Sequence, residues 1–244
     1  MDRKNIPNPG FADDDGTADP ALARALTVWS QDAGEEAALL AALPSARLMV
    51  PIVAVLGEVE TDANGLRHEK TSDMAVPVIE AADGRRALPA FTSLDSLARW
   101  RADARPAPVA APQAVLAAYS ERADTLLIDP AGPVTYELTG SRMRAVAEGR
   151  AWLPPLRDPD VLGALRELLA VEPSVLRAEL RPGGETDAVL ALGLSQGAPV
   201  QEVAQRLAAA LVADPVLRVR LGRGLDLALL PAGAEPAGQP FYQR

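Results

Sequence analysis

Met74–Trp100 reads MAVPVIEAADGRRALPAFTSLDSLARW, and this passage decides the fold class. Met74 to Glu80 is a β-favouring run of Val and Ile, residues that suit a pleated, half-buried surface. Ala81-Ala82-Asp83-Gly84 supplies a tight turn, because glycine tolerates the positive φ such turns demand. A further strand then ends near Phe91, and Thr92 or Ser93 can cap a short helix through Trp100 by accepting backbone N–H groups. Upstream, Arg47 to Val59 is rich in Val, Ile and Leu, with a polar connection containing Asn64-Gly65 between it and Met74. The two runs predict an antiparallel pair, and the whole is a β-β-β-α passage.

Working outward, Arg105 to Val109 carries Pro106 and Pro108 and so fits only an edge strand, since proline cannot donate to an interior ladder. A helix from Pro112 to Arg122, strands at Thr125–Asp129 and Val134–Leu138, and a helix from Ser141 to Glu148 follow. Pro154-Pro155 marks the clearest break. Beyond it Asp158-Pro159 offers a cap and a first-turn proline. Val175 to Arg181 alternates, with Leu176, Ala178 and Leu180 assigned inward and Arg177, Glu179 and Arg181 outward. Pro182-Gly183-Gly184 turns into Ala188–Leu194, Pro199 opens a helix, and Leu225–Leu230 is the last strand before a Pro/Gly-rich tail with Phe241-Tyr242. That tail reads equally as a docking peptide or a packed end.

At the other end, Met1 to Asp19 mixes prolines and glycines with Asp13-Asp14-Asp15, a composition of an extended lead-in. Helical spacing of Leu22, Leu26 and Trp29 follows Pro20, and Ala37–Leu43 makes a second helical stretch. The expected division is an N-terminal arm with helices over 1–43, an α+β domain over 44–155, and a smaller α-β-β-α-β domain over 156–244. Each domain is a mostly antiparallel sheet with helices on one face. The length of 244 residues suits two compact units, and a chain 48% hydrophobic and 23% charged can bury a core.

The net charge of −9 lies mainly in the arm: eight acids against three bases over 1–43, fourteen against twelve over 44–155, eleven against nine over 156–244. Folded parts so nearly neutral have no long-range field for a phosphate backbone, and nine aromatic residues give no stacking platform, so nucleic acid is excluded as the expected partner. The absence of cysteine removes disulfides, zinc-thiolate sites and thiol nucleophiles. The N-terminus lacks a signal-peptide core and no eighteen-residue apolar run occurs, which together read as cytoplasmic with no membrane contact.

Several segments carry a resemblance: Lys4-Asn5-Ile6-Pro7, Pro9-Gly10-Phe11, Ala46-Arg47-Leu48 to Val53, Lys70-Thr71-Ser72-Asp73-Met74-Ala75-Val76, Ala87-Leu88-Pro89-Ala90-Phe91-Thr92-Ser93 and Asp129-Pro130-Ala131-Gly132-Pro133. In this order and spacing the chain resembles the bacterial SseB family, the enhanced-serine-sensitivity group, over nearly its full length. The resemblance implies an SseB N-terminal domain followed by a smaller SseB C-terminal domain. It implies no reaction.

The residues themselves offer little chemistry. Gly193-Leu194-Ser195-Gln196-Gly197 matches a nucleophile elbow between strand and helix, but that mechanism needs a histidine after the serine and the sole histidine is His68, upstream in a polar loop. A Gly-Ser turn feeding the next helix explains the pattern, and a solvated loop imidazole explains His68. Glu58, Glu60, Asp62 and Glu69 fit no cation loop, and Asp13-Asp14-Asp15-Gly16 fails the EF-hand pattern. No cofactor, no metal and no catalytic residue is therefore assigned.

One surface stands out. Lys70, Ser72 and Asp73 precede one strand, while Phe91, Thr92 and Ser93 end another at a helix start, where free N–H groups hold anions; Arg105 borders the same region. A hairpin closed on Asn64-Gly65 would set Glu60 opposite Lys70 as an ordinary cross-strand ion pair. The leading reading is a non-catalytic interaction or regulatory protein that binds another protein or itself, a homodimer included. The alternatives are a sensor for an amino acid or other small carboxylate, and an enzyme using dispersed carboxylates.

Overall fold

The computed structural model describes residues 11, 14–56, 59–61, 67–69, 72–231 and 240–244. They divide into two compact units, Met1–Trp152 and Leu153–Arg244. The fold is α+β, and most strand pairs are antiparallel. No described helix is long and apolar enough to cross a membrane.

Unit 1 opens with α1 (Pro20–Gln31) and α2 (Glu36–Ala42). Asp19 caps α1 by accepting the N–H groups of Ala21 and Leu22, with Pro20 in the first turn, and Leu22 and Leu26 turn their side chains into the core. Then come β1 (Arg47–Leu56), β2 (Val59–Thr61), β3 (Arg67–Glu69), β4 (Ser72–Ala75), β5 (Ile79–Glu80), β6 (Arg86–Ala90), α3 (Leu94–Trp100), β7 (Arg105–Ala110), α4 (Ala111–Ser120), β8 (Thr125–Ile128), β9 (Tyr136–Thr139) and α5 (Gly140–Ala147). One sheet runs β4-β1-β7 and another β5-β6-β8-β9, with β6 and β8 parallel. Met49 and Phe91 join the two sheets by a pair of backbone hydrogen bonds of 2.8 and 2.9 Å.

That bridge explains three prolines. Met49 directs its N–H and C=O toward Phe91, so by strand alternation Met49 and Pro51 are the positions of β1 that do not bond β7. Their partners on β7 are Pro108 and Pro106, whose missing N–H groups therefore face outward from an edge strand. Pro51 lies between the Phe91 bridge and the start of β4 pairing at Val53, where no described residue is left short of a donor by its missing N–H. The expected edge strand at 105–109 is thus present, and the reason is the i, i+2 spacing of its prolines.

The same alternation separates two cores. Leu48 and Val50 of β1, Leu88 and Ala90 of β6, and Leu126 and Ile128 of β8 pack with Leu22, Leu39, Val115, Tyr136 and Met143. Met49 and Phe91 face the other side, where Leu97 and Trp100 of α3 cover them. Each such leucine removed from water contributes about 1.5–3 kcal/mol. The β2–β3 pair sets Glu60 opposite His68, a register centred one residue earlier than the expected Glu60–Lys70 pairing requires, and Lys70 itself lies outside the described residues.

Unit 2 contains α6 (Pro159–Val171), β10 (Val175–Pro182), β11 (Ala188–Leu194), α7 (Val200–Ala213), α8 (Pro215–Arg220), β12 (Leu225–Leu229) and β13 (Tyr242–Gln243). Its sheet runs β12-β11-β10-β13, with β11 and β12 parallel around the α7–α8 crossover. Leu165, Leu169, Leu190, Leu192, Val203 and Leu207 form its core. Leu176, assigned inward by alternation, is 46% exposed. A bulge between Val175 and Arg177 adds a residue to β10, so Val175 is buried and Leu176 turns out. The elements α8 and β13 exceed the expected α-β-β-α-β order.

Candidate functional site

The ends of the parallel strands β6 and β8 bring Thr92 and the Asp129–Pro133 turn together. Asp129, just after β8, is buried and has a φ of 50°. Its N–H donates to Ala90 O, its carbonyl accepts the Gly132 N–H and the Thr135 hydroxyl, and this closes the Asp129-Pro130-Ala131-Gly132-Pro133 turn. A Cβ on Gly132 would stand 2.7 Å from that of Asp129, so the turn requires glycine there. The Asp129 carboxylate accepts the Thr92 N–H at 2.9 Å and the Thr92 hydroxyl at 2.6 Å.

Arg47, at the start of β1, gathers the arm onto this point. Nη1 donates to Thr92 O at 2.8 Å, Nη2 to Asp14 Oδ1 at 2.6 Å and to Thr17 O at 2.7 Å, and Nε lies 2.5 Å from Asp14 Oδ2. Asp14 also accepts the Gly16 N–H, and Gly16 has a φ of 80° with Leu94 Cδ1 2.3 Å from any added Cβ. Gly16 O in turn accepts the Leu94 N–H, the first of α3. A largely buried ion pair thus holds Asp14–Thr17 against the strand ends.

The expected anion surface has a different disposition. Phe91 is a fully buried core residue. Thr92 gives both its N–H and its hydroxyl to Asp129, and Ser93 caps α3 by accepting the Ser96 N–H at 3.1 Å. With Leu94 N–H also taken, these donors at the helix start serve the fold. Ser72 and Asp73 pair with Leu56 and Val55, whereas Phe91 sits opposite Met49. Six residues along β1 amount to about 20 Å, so the two sets are not brought together. Arg105 is exposed opposite Ile52 on the far side of β1, and Lys70 lies outside the described residues.

A second polar cluster escaped sequence reasoning. Tyr136 donates its hydroxyl to Glu36 Oε1 at 3.0 Å, and Arg142 Nη1 donates to the same oxygen at 2.6 Å. Burial first, and then the Glu36 carboxylate, hold the Tyr136 phenol well above its ordinary range. Trp29 packs edge-on against Tyr136 at 4.8 Å, and Arg142 stands over the Trp152 ring. Glu36 and Tyr136 are one hundred residues apart, a separation at which a lone sequence carries no pairing signal.

In unit 2, Ser195 follows β11 without the strained backbone of a nucleophile elbow: the described non-glycine residues with positive φ are Arg122 and Asp129. Ser195 O accepts the Ala198 N–H in a turn that leads to Pro199 and α7. More is built around residues 240–244. Tyr242 and Gln243 pair antiparallel with Ala178 and Arg177, and the Arg244 N–H donates to Leu176 O at 2.9 Å. Arg244 Nη2 reaches the carbonyls of Leu169, Ala170 and Glu172 at 3.5, 2.8 and 3.1 Å. A guanidinium therefore satisfies carbonyls at the C-terminal end of α6, where the helix dipole favours a cation. Arg166 lies 4.7 Å over the Phe241 ring, and Phe241 and Tyr242 pack on the core of the unit. The aromatic pair was the available sequence signal; the arginine's role was not visible.

The model of the SseB protein N-terminal domain matches residues 22–145, from α1 into α5 and just over half of the chain. No curated protein and no solved structure gives a significant match. The matched segment contains Arg47, Thr92 and Asp129, the three residues around which the strand ends are fastened. On this match the chain belongs to the SseB family.

Proposed function

We propose that this SseB-family chain is a non-catalytic interaction protein and that the edge of β10 is where it accepts an extended peptide. The observation that carries the reading is the seat of Pro240–Arg244: two strand pairs, a guanidinium on the α6 carbonyls and an aromatic ring under Arg166. Main-chain pairing supplies affinity in strand addition and side-chain pockets supply selectivity, and both components are present here. The charged groups at the unit 1 strand ends support a non-catalytic role, because Arg47, Asp14 and Asp129 are engaged with one another or with the backbone.

The test is a labelled peptide carrying PFYQR titrated into the full-length Phe241→Ala/Arg244→Ala chain. Saturable binding is expected, at least about tenfold stronger than to the unchanged chain, whose own segment competes at a high effective concentration. A folded variant that binds a scrambled peptide equally well, or binds neither, overturns the reading.

A second reading is favoured by one contact. Arg47 holds the Asp14 carboxylate through Nε and Nη2, with the Gly16 N–H as a third donor, so these groups suit a small carboxylate such as that of an amino acid. A free carboxylate that displaced Asp14 would release the arm. Thermal shifts with amino acids would then rise with dose and vanish in Arg47→Ala; no shift from any of them sinks this alternative.

A further inference from the structure

The register of unit 2 places Leu229, Leu192, Ala178 and Tyr242 in one row across the sheet. β12 and β13 are opposite edges, three strand spacings or about 14 Å apart. β11 is parallel to β12 and antiparallel to β10, and β13 is antiparallel to β10, so β12 and β13 run in the same direction. A chain that leaves β12 must therefore cross to the other edge and also return along the strands before it reaches Phe241. The intervening sequence, Pro231–Pro240, is PAGAEPAGQP.

All contacts described for the seat are made by residues 241–244. None depends on whether the segment and β10 belong to one polypeptide. Only Arg177 and Ala178 pair with the segment's strand residues, so little ladder is broken when it leaves. Exchange of an identical element between copies creates no new contact and so costs little. We infer that Pro240–Arg244 exchanges between two copies of this chain, each placing its segment on the β10 edge of the other, so that the partner of this edge is a second copy. The inference rests on the strand-accepting reading of β10 and names its occupant. The second copy is chosen because its segment is the one peptide whose complementarity to the seat is seen atom by atom.

A connection of about ten residues gives the tethered segment an effective concentration of the order of mM, so exchange increases with chain concentration and dominates wherever the connection cannot close on its own chain. Removal of Ala232–Gln239 creates that condition. The links that remain from Leu229 to Tyr242 span roughly 17 Å when fully extended. That exceeds the direct separation but leaves no length for the return along the strands.

The chain has no cysteine, so engineered thiols report cleanly. Arg177 and Gln243 are directly opposite. Facing Cα atoms in an antiparallel pair lie about 4.5–5.5 Å apart, within the range a disulfide bridges. Under mild oxidation the Arg177→Cys/Gln243→Cys double variant should close within one chain. A mixture of Arg177→Cys chains with Gln243→Cys chains should give a covalent heterodimer whose yield rises at least severalfold between micromolar and near-millimolar concentration, while neither variant alone dimerises in this way. The deletion variant should be dimeric at micromolar concentration by light scattering. A double variant that fails to close removes the seat and the interaction reading with it. Closure within one chain, with no heterodimer at any concentration or with a monomeric deletion variant, overturns the exchange and leaves the peptide reading standing.

Discussion

Two segments are fastened through an arginine, and the arginine stands on opposite sides of the two contacts. In unit 1 the body supplies Arg47 and the arm supplies Asp14, with side chains only 11% and 12% exposed. In unit 2 the segment supplies Arg244 and the body supplies carbonyls at the end of α6. The first contact buries a pair of full charges, so loss of either partner strands the other in a poorly solvated place. The second sets one cation against the partial negative charge of a helix terminus, and water can replace the cation when it leaves. The difference separates a part of the fold from a removable strand.

Arg47→Ala tests the strong side of this contrast. The substitution leaves Thr92 O and Thr17 O without the guanidinium and the Asp14 carboxylate with only the Gly16 N–H, and a cost of about 3–5 kcal/mol is expected in urea unfolding of unit 1. Limited proteolysis should then cut the chain near Asp14–Asp19 much faster than before. A loss below about 1 kcal/mol with an intact arm would place this pair among ordinary surface salt bridges and erase the contrast.

Arg244→Ala tests the weak side. Helix-terminus charge and the partly exposed charged hydrogen bonds to Ala170 O and Glu172 O suggest a loss of about 2 kcal/mol in unit 2, with the unfolding of unit 1 unchanged. A loss as large as that of Arg47→Ala would mean that the segment is an integral strand, and exchange would then be too slow to matter.

Much of the scaffold was legible because its causes are local. The i, i+2 prolines 106 and 108 specified an edge, Asp158 and Pro159 specified a helix start, and the turn at Asp83-Gly84 separated two strands. What a lone sequence withheld is which distant group takes a hydrogen bond. Thr92 and Ser93 have the residue types of an anion cradle, but Asp129 and the Gly16 carbonyl, remote in the chain, consume the donors. Leu176 shows a subtler limit: alternation holds only until a bulge adds a residue, and nothing in VLRAEL marks the bulge. Arg244 looked like one of many arginines because guanidinium contacts to carbonyls leave no pattern in composition.

The smallest expected effect concerns Glu172, whose carbonyl accepts from Arg244 while its carboxylate accepts from Arg206 at 3.0 and 3.1 Å. Hydrogen bonds from Arg206 come first among the causes that hold the Glu172 carboxyl below its ordinary range, with the Ser174 N–H adding to them and burial opposing. A carboxyl whose folded value is depressed gives stability that is present above its unfolded value and is lost as the pH falls through the folded one. Arg206→Ala removes the leading cause, so the stability gap between the unchanged chain and the variant should be flat from neutrality to roughly pH 5 and narrow steadily below it. Chemical unfolding of both chains across that range reads the gap. If it narrows to the same extent in an Arg244→Ala background, the two arginines act on Glu172 independently and the segment can leave without loosening α6 from α7. If the narrowing disappears there, the carbonyl and carboxylate contacts are one device, and release of the segment also loosens the pairing of α6 with α7.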